Sequence, residues 1–140
     1  MDIDKYKPEF DDMYKEGKII ENYPVNMALY HEVYKGKFPF SARDFCFASM
    51  KVFESDGSIT IPAISVEDAR VPPIKANVRA TLLLAGWILR PLEGGKSKAT
   101  YIVTTNLSGS IPGFIQSHAA KGQTSVVKTF AEAYKKRYLK

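Results

Sequence analysis

Residues 112–138 read PGFIQSHAAKGQTSVVKTFAEAYKKRY, the longest run of helical periodicity in the chain. Residues three and four positions apart form one mostly apolar stripe, as on one face of an α-helix. Pro112 suits a first helical turn, Ser110 is a candidate N-cap, and cations gather near the C-terminal end, where the helix dipole favours them. We therefore predict one long helix that packs its stripe on another element. The stripe consists of Ile115, Ala119, Gln123, Val127, Phe130 and Tyr134, and the cations are Lys128, Lys135, Lys136 and Arg137.

Upstream of this helix the hydrophobic pattern changes to that of β-strands. Apolar or alternating segments are separated by turn signals such as Ser55-Asp56-Gly57 and Glu93-Gly94-Gly95-Lys96. Pro62 indicates an irregularity or a sheet edge within one of them. The predicted strands cover residues 27–34, 43–54, 58–66, 77–89 and 98–107.

A short helix is predicted to precede these strands. It covers residues 8–16, because Pro8 suits a first turn, Phe10, Met13 and Tyr14 share a face, and Gly17 would end it. The order of short helix, hairpin-linked strands and long terminal helix predicts an α+β fold with an antiparallel sheet. A sheet that curls around one helix can enclose a cavity.

Composition limits the class of protein. The chain has 140 residues, of which 45% are hydrophobic and 25% charged, which fits one globular domain. The single cysteine, Cys46, excludes an internal disulfide framework and suits a reducing compartment. The N-terminus is charged, and no apolar run approaches the ~18–20 residues that span a bilayer. The sequence predicts a soluble, cytoplasmic protein.

The net charge of +5 allows three interpretations. It fits a solvated surface with excess lysine, a face that docks on anionic membranes, or a nucleic-acid interface. The basic residues are scattered, and no RNP-like or helix-turn-helix pattern organises them. We therefore favour the first interpretation, place a peripheral membrane contact second, and expect no nucleic-acid partner.

Several motifs, in this order and spacing, resemble the START domain family over residues 8–138. The resemblance implies a helix-grip fold, in which a curved sheet of about five strands here wraps around the C-terminal helix and leaves a lipid tunnel. Members bind sterols, phospholipids or ceramides, and many carry them between membranes without chemistry on the lipid. The motifs are Arg43-Asp44-Phe45 after FPFSA, Ser65-Val66, Val71-Pro72-Pro73, Val78-Arg79-Ala80, Gly86-Trp87-Ile88-Leu89-Arg90-Pro91-Leu92, Ser97-Lys98-Ala99-Thr100-Tyr101 and Gly109-Ser110-Ile111-Pro112.

The resemblance implies that this chain binds one lipid in the tunnel and transfers it between membranes, with no enzymatic activity, cofactor or metal. The loop over residues 67–76 is expected at the tunnel mouth, where it would move with the helix to admit lipid. The residues expected to contact lipid are Tyr30, Glu32, Tyr34, Phe45, Phe47, Ser49, Ala80, Leu82, Leu84, Ile115, Ala119, Gln123 and Val127, and those expected at the tunnel mouth are Val71, Pro72, Pro73 and Ile74.

Two departures from the family pattern shape these expectations. The family domain usually begins with a further helix and strands, so we expect residues 1–140 to form a single, N-terminally truncated START-like domain. An open sheet edge would then favour a homodimer. Glu32 matches the acidic tunnel residue of sterol-binding members, but their arginine partner falls on Ser49. A buried carboxylate without its partner is costly, so we favour a phospholipid or another lipid over a sterol.

Other polar residues are given structural roles. Arg43 and Asp44 are expected to tie the start of a strand to neighbouring segments, and Arg79 to form a structural ion pair. His31, His118 and Cys46 lack the spacing of a zinc site. Two alternative functions stay open: a START-like interaction or dimerisation module without ligand, and a helix-grip enzyme that uses Glu32 with His31 or Tyr34 as its acid/base set.

Overall fold

The computed structural model describes residues 6–109 and 111–139, and of residues 114, 115, 118 and 119 it describes the backbone alone. One long helix, α1, covers Gly113–Tyr138. The predicted helix over residues 112–138 is thus confirmed, with Pro112 directly before its first residue. The predicted cap at Ser110 lies outside the described residues.

The strands form one mostly antiparallel sheet within the described residues. Its main order is β1-β2-β3-β5-β7-β8, with β4 paired to β5 and β6 paired in parallel to β3. The α+β class with a large antiparallel sheet and a C-terminal helix is therefore confirmed. The strands are β1 (Tyr14–Tyr23), β2 (Met27–Tyr34), β3 (Ala42–Met50), β4 (Val52–Phe53), β5 (Ile59–Ser65), β6 (Asn77–Arg79), β7 (Thr81–Leu92) and β8 (Lys96–Asn106).

The expected count of about five strands is too low, because the described residues contain eight. Two predicted strands are each divided in two, one at Lys51 and the other at Ala80. Pro62 lies in the interior strand β5, where pairing with β3 stops at Ala63 and pairing with β4 starts at Thr60. A residue without an N–H is tolerated at this gap in the ladder.

The predicted helix over residues 8–16 is wrong. The structure has a short 3-10 turn at Lys7–Glu9, and β1 begins at Tyr14. Gly17 lies inside β1 opposite Glu32, where an added Cβ would lie 2.5 Å from the Tyr14 hydroxyl oxygen. The spacing of Phe10, Met13 and Tyr14 predicted a helix, but this local preference for helix is weak. The pairing of β1 with β2 outweighs it.

The sheet has two differently covered faces. The inner face carries Phe45 and Phe47, and strand register places Trp87 on this same face. The Phe130 ring of α1 lies 5.0 Å from Trp87, so the helix crosses the inner face. The outer face carries a separate buried cluster built on Leu29 and Cys46. A lipid held between sheet and helix would therefore contact the inner face.

Candidate functional site

The floor of the candidate site is a group of apolar residues on the inner face. Phe45, Phe47 and Ala80 are buried and packed together. The Tyr30 ring stacks on Phe47 with centroids 5.3 Å apart, and Tyr34 meets Phe45 edge-on at 5.5 Å. Partly buried residues that extend this floor are Tyr30, Tyr34, Ala63, Leu82 and Leu107. Eight of the residues predicted to contact lipid are thus on this face: Tyr30, Glu32, Tyr34, Phe45, Phe47, Ser49, Ala80 and Leu82.

A charged cluster lies at one end of this apolar floor. Glu32 is 2% exposed, and its Oε2 atom lies 2.6 Å from Lys7 Nζ. The Tyr34 hydroxyl donates to the same oxygen at 2.9 Å. The Lys7 ammonium also lies 5.2 Å from the ring centroids of both Tyr14 and Tyr34, within cation–π range. We call Glu32, Tyr14 and Tyr34 the cation box.

The expectation that Glu32 lacks a cationic partner is wrong. Lys7, 25 residues earlier in the chain, supplies the charge that an arginine at position 49 would supply. Ser49 instead donates its hydroxyl to the carbonyl of Pro62 at 2.9 Å, which links β3 to β5. The sequence did not indicate Lys7, because a lone lysine in an N-terminal segment looks like any solvated cation.

Burial and negative charge shift the pKa values of groups around the cation box. Burial, followed by the Glu32 and Asp11 charges, holds the pKa of Tyr34 well above its usual value. Burial and the same two carboxylates raise the pKa of Tyr101 to about 12. Burial raises the pKa of Asp11, although Lys7 opposes that rise. The tyrosines therefore act as neutral hydrogen-bonding groups, and the end of the site favours a cation.

Leu84 does not lie with Leu82, contrary to the expectation. A register shift between Leu82 and Leu84 reverses the alternation, so the buried residue that follows Leu82 on the inner face is Ala85, opposite Ala63. Leu84 is 52% exposed. A β-bulge inserts one residue and re-aims every side chain beyond it, which a strict alternation of two cannot anticipate.

The helix residues predicted to contact lipid are described only in part. Gln123 and Val127 are half-buried, while the side chains of Ile115 and Ala119 lie outside the described residues. The most buried described position of the helix is Val126, which the predicted stripe missed, and Tyr134 from that stripe is 50% exposed. The helix is therefore rotated slightly from the predicted stripe.

The outer face holds a second charged cluster, centred on the fully buried Asp44. His31 Nε2 lies 2.8 Å from Asp44 Oδ2, and the Arg79 guanidinium donates to that oxygen at 2.8 and 3.0 Å. Arg79 also donates to the carbonyls of Val71 and Pro72. The predicted structural ion pair of Arg79 is thus present. Arg43 donates to the carbonyls of Ser41, Leu107 and Ser108, as its predicted tying role requires.

His31 and Glu32 cannot act on one substrate atom, because they point to opposite faces of β2. The acid/base set of Glu32 with His31 is therefore not assembled, whereas Tyr34, the other partner considered for a helix-grip enzyme, donates to Glu32 Oε2 at 2.9 Å. Cys46 is buried on the outer face, and burial raises its pKa, which suppresses the reactive thiolate. Within the described ranges, no three His, Cys, Asp or Glu residues converge as metal ligands would.

The middle of the loop that connects β5 to β6 packs against the outer face of the sheet. Val71 is buried with Leu29 and Cys46, and Arg70 pairs with Glu21 and Asp68. Val71 thus does not share a face with the lipid residues predicted on β3, contrary to its expected place at the tunnel mouth. Pro72, Pro73 and Ile74 are exposed, and gating by this loop stays a prediction.

These features define a class of α+β domain in which one long terminal helix lies over an apolar sheet face with a charged group at one end. The START domain family model matches residues 1–138. The chain belongs to the START domain family. Neither α1 nor any other described helix combines the length and the apolar character that crossing a bilayer requires.

Named relatives agree with this membership. The chain is 30% identical over 98 residues to Rho GTPase-activating protein 7 of Bos taurus, covering 69% of this chain and 9% of that protein. It is 26% identical over 106 residues to StAR-related lipid transfer protein 13 of Mus musculus, covering 74% of this chain and 9% of that protein. The chain thus spans only about a tenth of these curated relatives.

A solved structure shows the same fold. Human StAR-related lipid transfer protein 5 superposes with a TM-score of 0.84 at 23% identity, covering 96% of this chain and 68% of that chain. At this identity the likeness concerns the arrangement of sheet and helix. The identity of any ligand has to be argued from the residues of this chain.

Proposed function

We propose that this domain binds one lipid in a tunnel between the inner sheet face and α1 and transfers it between membranes. The observation that carries the proposal is the pairing of an apolar floor, formed by Phe45, Phe47 and Ala80, with a buried charged cluster at one end. Burial of each CH₂ group of an acyl chain contributes about 0.8 kcal/mol to binding. This contribution is non-directional, so it does not select one lipid over another. Polar groups such as Glu32 then select the head group, because a buried polar group left without a hydrogen-bond partner costs about 1–3 kcal/mol.

A phospholipid or another lipid with a charged head group is favoured over a sterol. A sterol offers a single neutral hydroxyl, which could not replace the positive charge that Lys7 places beside the buried Glu32 carboxylate. Ser49, which stands where sterol-binding members place an arginine, is engaged with the Pro62 carbonyl.

Native mass spectrometry of the purified chain, after incubation with vesicles of mixed lipids, tests this function. We expect one lipid per chain and a phospholipid rather than a sterol. An empty monomer that takes up no lipid would overturn the proposal. An empty dimer would support the alternative of an interaction module instead.

Membrane contact is proposed at the connection between β2 and β3. Phe38 is 97% exposed there, directly after Lys35-Gly36-Lys37. An exposed aromatic ring preceded by two lysines suits an anionic bilayer surface, where each lysine contributes about 1 kcal/mol. The cations near the end of α1 could also face an anionic surface, but Arg137 there is paired with Glu9 and stacked on Tyr6.

Replacing Phe38 with alanine should weaken binding to anionic vesicles about tenfold, because the loss of ring burial costs on the order of 1.4 kcal/mol or more. Vesicle co-sedimentation measures this effect, and binding should fall further at high salt. Phe53→Ala is the matched control, since Phe53 is also exposed but adjoins the hairpin at the opposite end of β3. Equal binding by the two variants would refute this membrane contact.

The expected homodimer stays a prediction. β1 and β8 are the outer strands of the described sheet. β1 carries the exposed charges Lys15, Glu16 and Lys18 and has two register shifts, features that oppose edge-to-edge pairing. A dimer, if it forms, is therefore better supported at β8, and light scattering that shows a clean monomer would exclude it.

A further inference from the structure

Lys7 reaches the cation box from outside the sheet. It belongs to the three-residue 3-10 turn Lys7–Glu9, whose neighbours rest on α1. The Phe10 ring meets Phe130 edge-on at 5.3 Å, and Thr129 donates its hydroxyl to the Phe10 carbonyl at 2.8 Å. The Lys7 side chain is 18% exposed, against 3% for Glu32. The box is therefore built into the sheet, whereas its occupant comes from a peripheral turn with a path to solvent.

Lys7 satisfies only half of the Glu32 carboxylate. Both Lys7 and Tyr34 donate to Oε2, and Oε1 is buried without a hydrogen-bond partner. An ammonium group carries three donors, but the backbone attachment of Lys7 brings them to one oxygen. A buried unpaired acceptor costs free energy that a better placed donor would recover. Lys7 therefore occupies the cation box but leaves one acceptor, Glu32 Oε1, without a donor.

We propose that Lys7 is a tethered competitor for the head group, and that the bound lipid carries a primary ammonium which replaces Lys7 in the cation box. This inference rests on the proposed lipid-binding function and names the lipid class. A free ammonium keeps the Glu32 charge compensated, retains the contacts with the Tyr14 and Tyr34 rings, and can donate to Oε1 as well as Oε2. Lys7 then turns outward to solvent.

A primary ammonium fits the box better than the two obvious alternatives. A quaternary ammonium has the charge but no N–H, so it could not match the 2.6 Å contact between Lys7 Nζ and Glu32 Oε2. A neutral hydroxyl offers one donor and no charge, which would leave the buried carboxylate uncompensated. The observed occupant, a lysine ammonium, has the chemistry of the proposed ligand.

The test compares vesicles of phosphatidylethanolamine and phosphatidylcholine with identical acyl chains, with loading of the full chain measured by native mass spectrometry. Wild type should favour the ethanolamine lipid. Lys7→Met should raise its affinity about tenfold, because the competing state is removed. Glu32→Gln should bring the two lipids to within about twofold. Lys15→Met is the control, since Lys15 is an exposed lysine of β1 whose ammonium pairs with Glu16 and not with Glu32, and it should behave like wild type.

A measurement on unaltered protein covers the case in which Lys7→Met fails to fold. Amine acylation followed by peptide mass spectrometry should label Lys7 several-fold faster in protein loaded with the ethanolamine lipid than in protein loaded with the choline lipid. Unchanged labelling, unchanged affinity in Lys7→Met, or a preference that survives Glu32→Gln would each overturn the inference. Loading of both lipids to equal extents, or of neither when another lipid of the mixed vesicles loads, would overturn this inference alone. A chain that takes up no lipid at all would overturn the proposed function.

Discussion

Asp44→Ala should lower the free energy of unfolding by about 3 kcal/mol. Asp44 is fully buried and is the shared acceptor for His31 of β2 and Arg79 of β6. Without it, Arg79 keeps a charge in a partly buried position and His31 loses its partner. This loss of stability is at the lower end of the range expected when a buried ion pair is broken. The reason is that the Arg79 side chain is partly exposed and can recover some hydration.

Urea denaturation followed by the fluorescence of Trp87, the one tryptophan of the chain, measures this change. Asp68→Ala is the matched control, since Asp68 also pairs with an arginine, Arg70, but at the surface. The control should shift the midpoint little, because exposed ion pairs are screened by water. Equal shifts in the two variants would show that the Asp44 cluster does not stabilise the fold.

Phe47→Ala should have the second large effect, lowering the free energy of unfolding of the lipid-free protein by about 3–5 kcal/mol. Phe47 is buried at the centre of the inner face, where its ring stacks on Tyr30. Truncation removes apolar burial and leaves a void that the paired strands cannot collapse to fill. Phe53→Ala, with a ring that is 64% exposed, should change stability by about 0.5 kcal/mol or less.

The same pair of variants tests whether Phe47 contacts the bound lipid or only packs in the protein core. If Phe47 contacts the lipid, Phe47→Ala also changes lipid affinity, so the stabilisation that added lipid confers differs from that in wild type. Phe53→Ala should keep the wild-type increment. An increment that is identical in Phe47→Ala and wild type would place Phe47 in the core and away from the lipid.

The local hydrophobic pattern was sufficient to predict those helices and strands whose conformation depends on the spacing of their own apolar residues. The strand predicted over residues 27–34 is β2, and the helix predicted over 112–138 is α1 within one residue. A stripe at three- and four-residue spacing, or an alternation between turn signals, encodes such elements in neighbouring residues. The motifs shared with the START domain family reached the same architecture.

Local pattern failed where a distant segment decides the outcome. β1 was missed because its strand conformation depends on pairing with β2. Leu84 was assigned to the wrong face because one bulge reverses the alternation. Both errors have the same origin, since the register between two strands is a property of the pair and not of either strand alone.

The sequence by itself therefore determined the α+β class, the long helix and most of the apolar inner face, because periodicity is a local property. Only the tertiary structure decided how the buried charges are compensated. Glu32 meets Lys7 across 25 residues, and Asp44 meets Arg79 across 35. A buried carboxylate must find a cation wherever the fold brings one near, and no spacing along the chain records which cation that is.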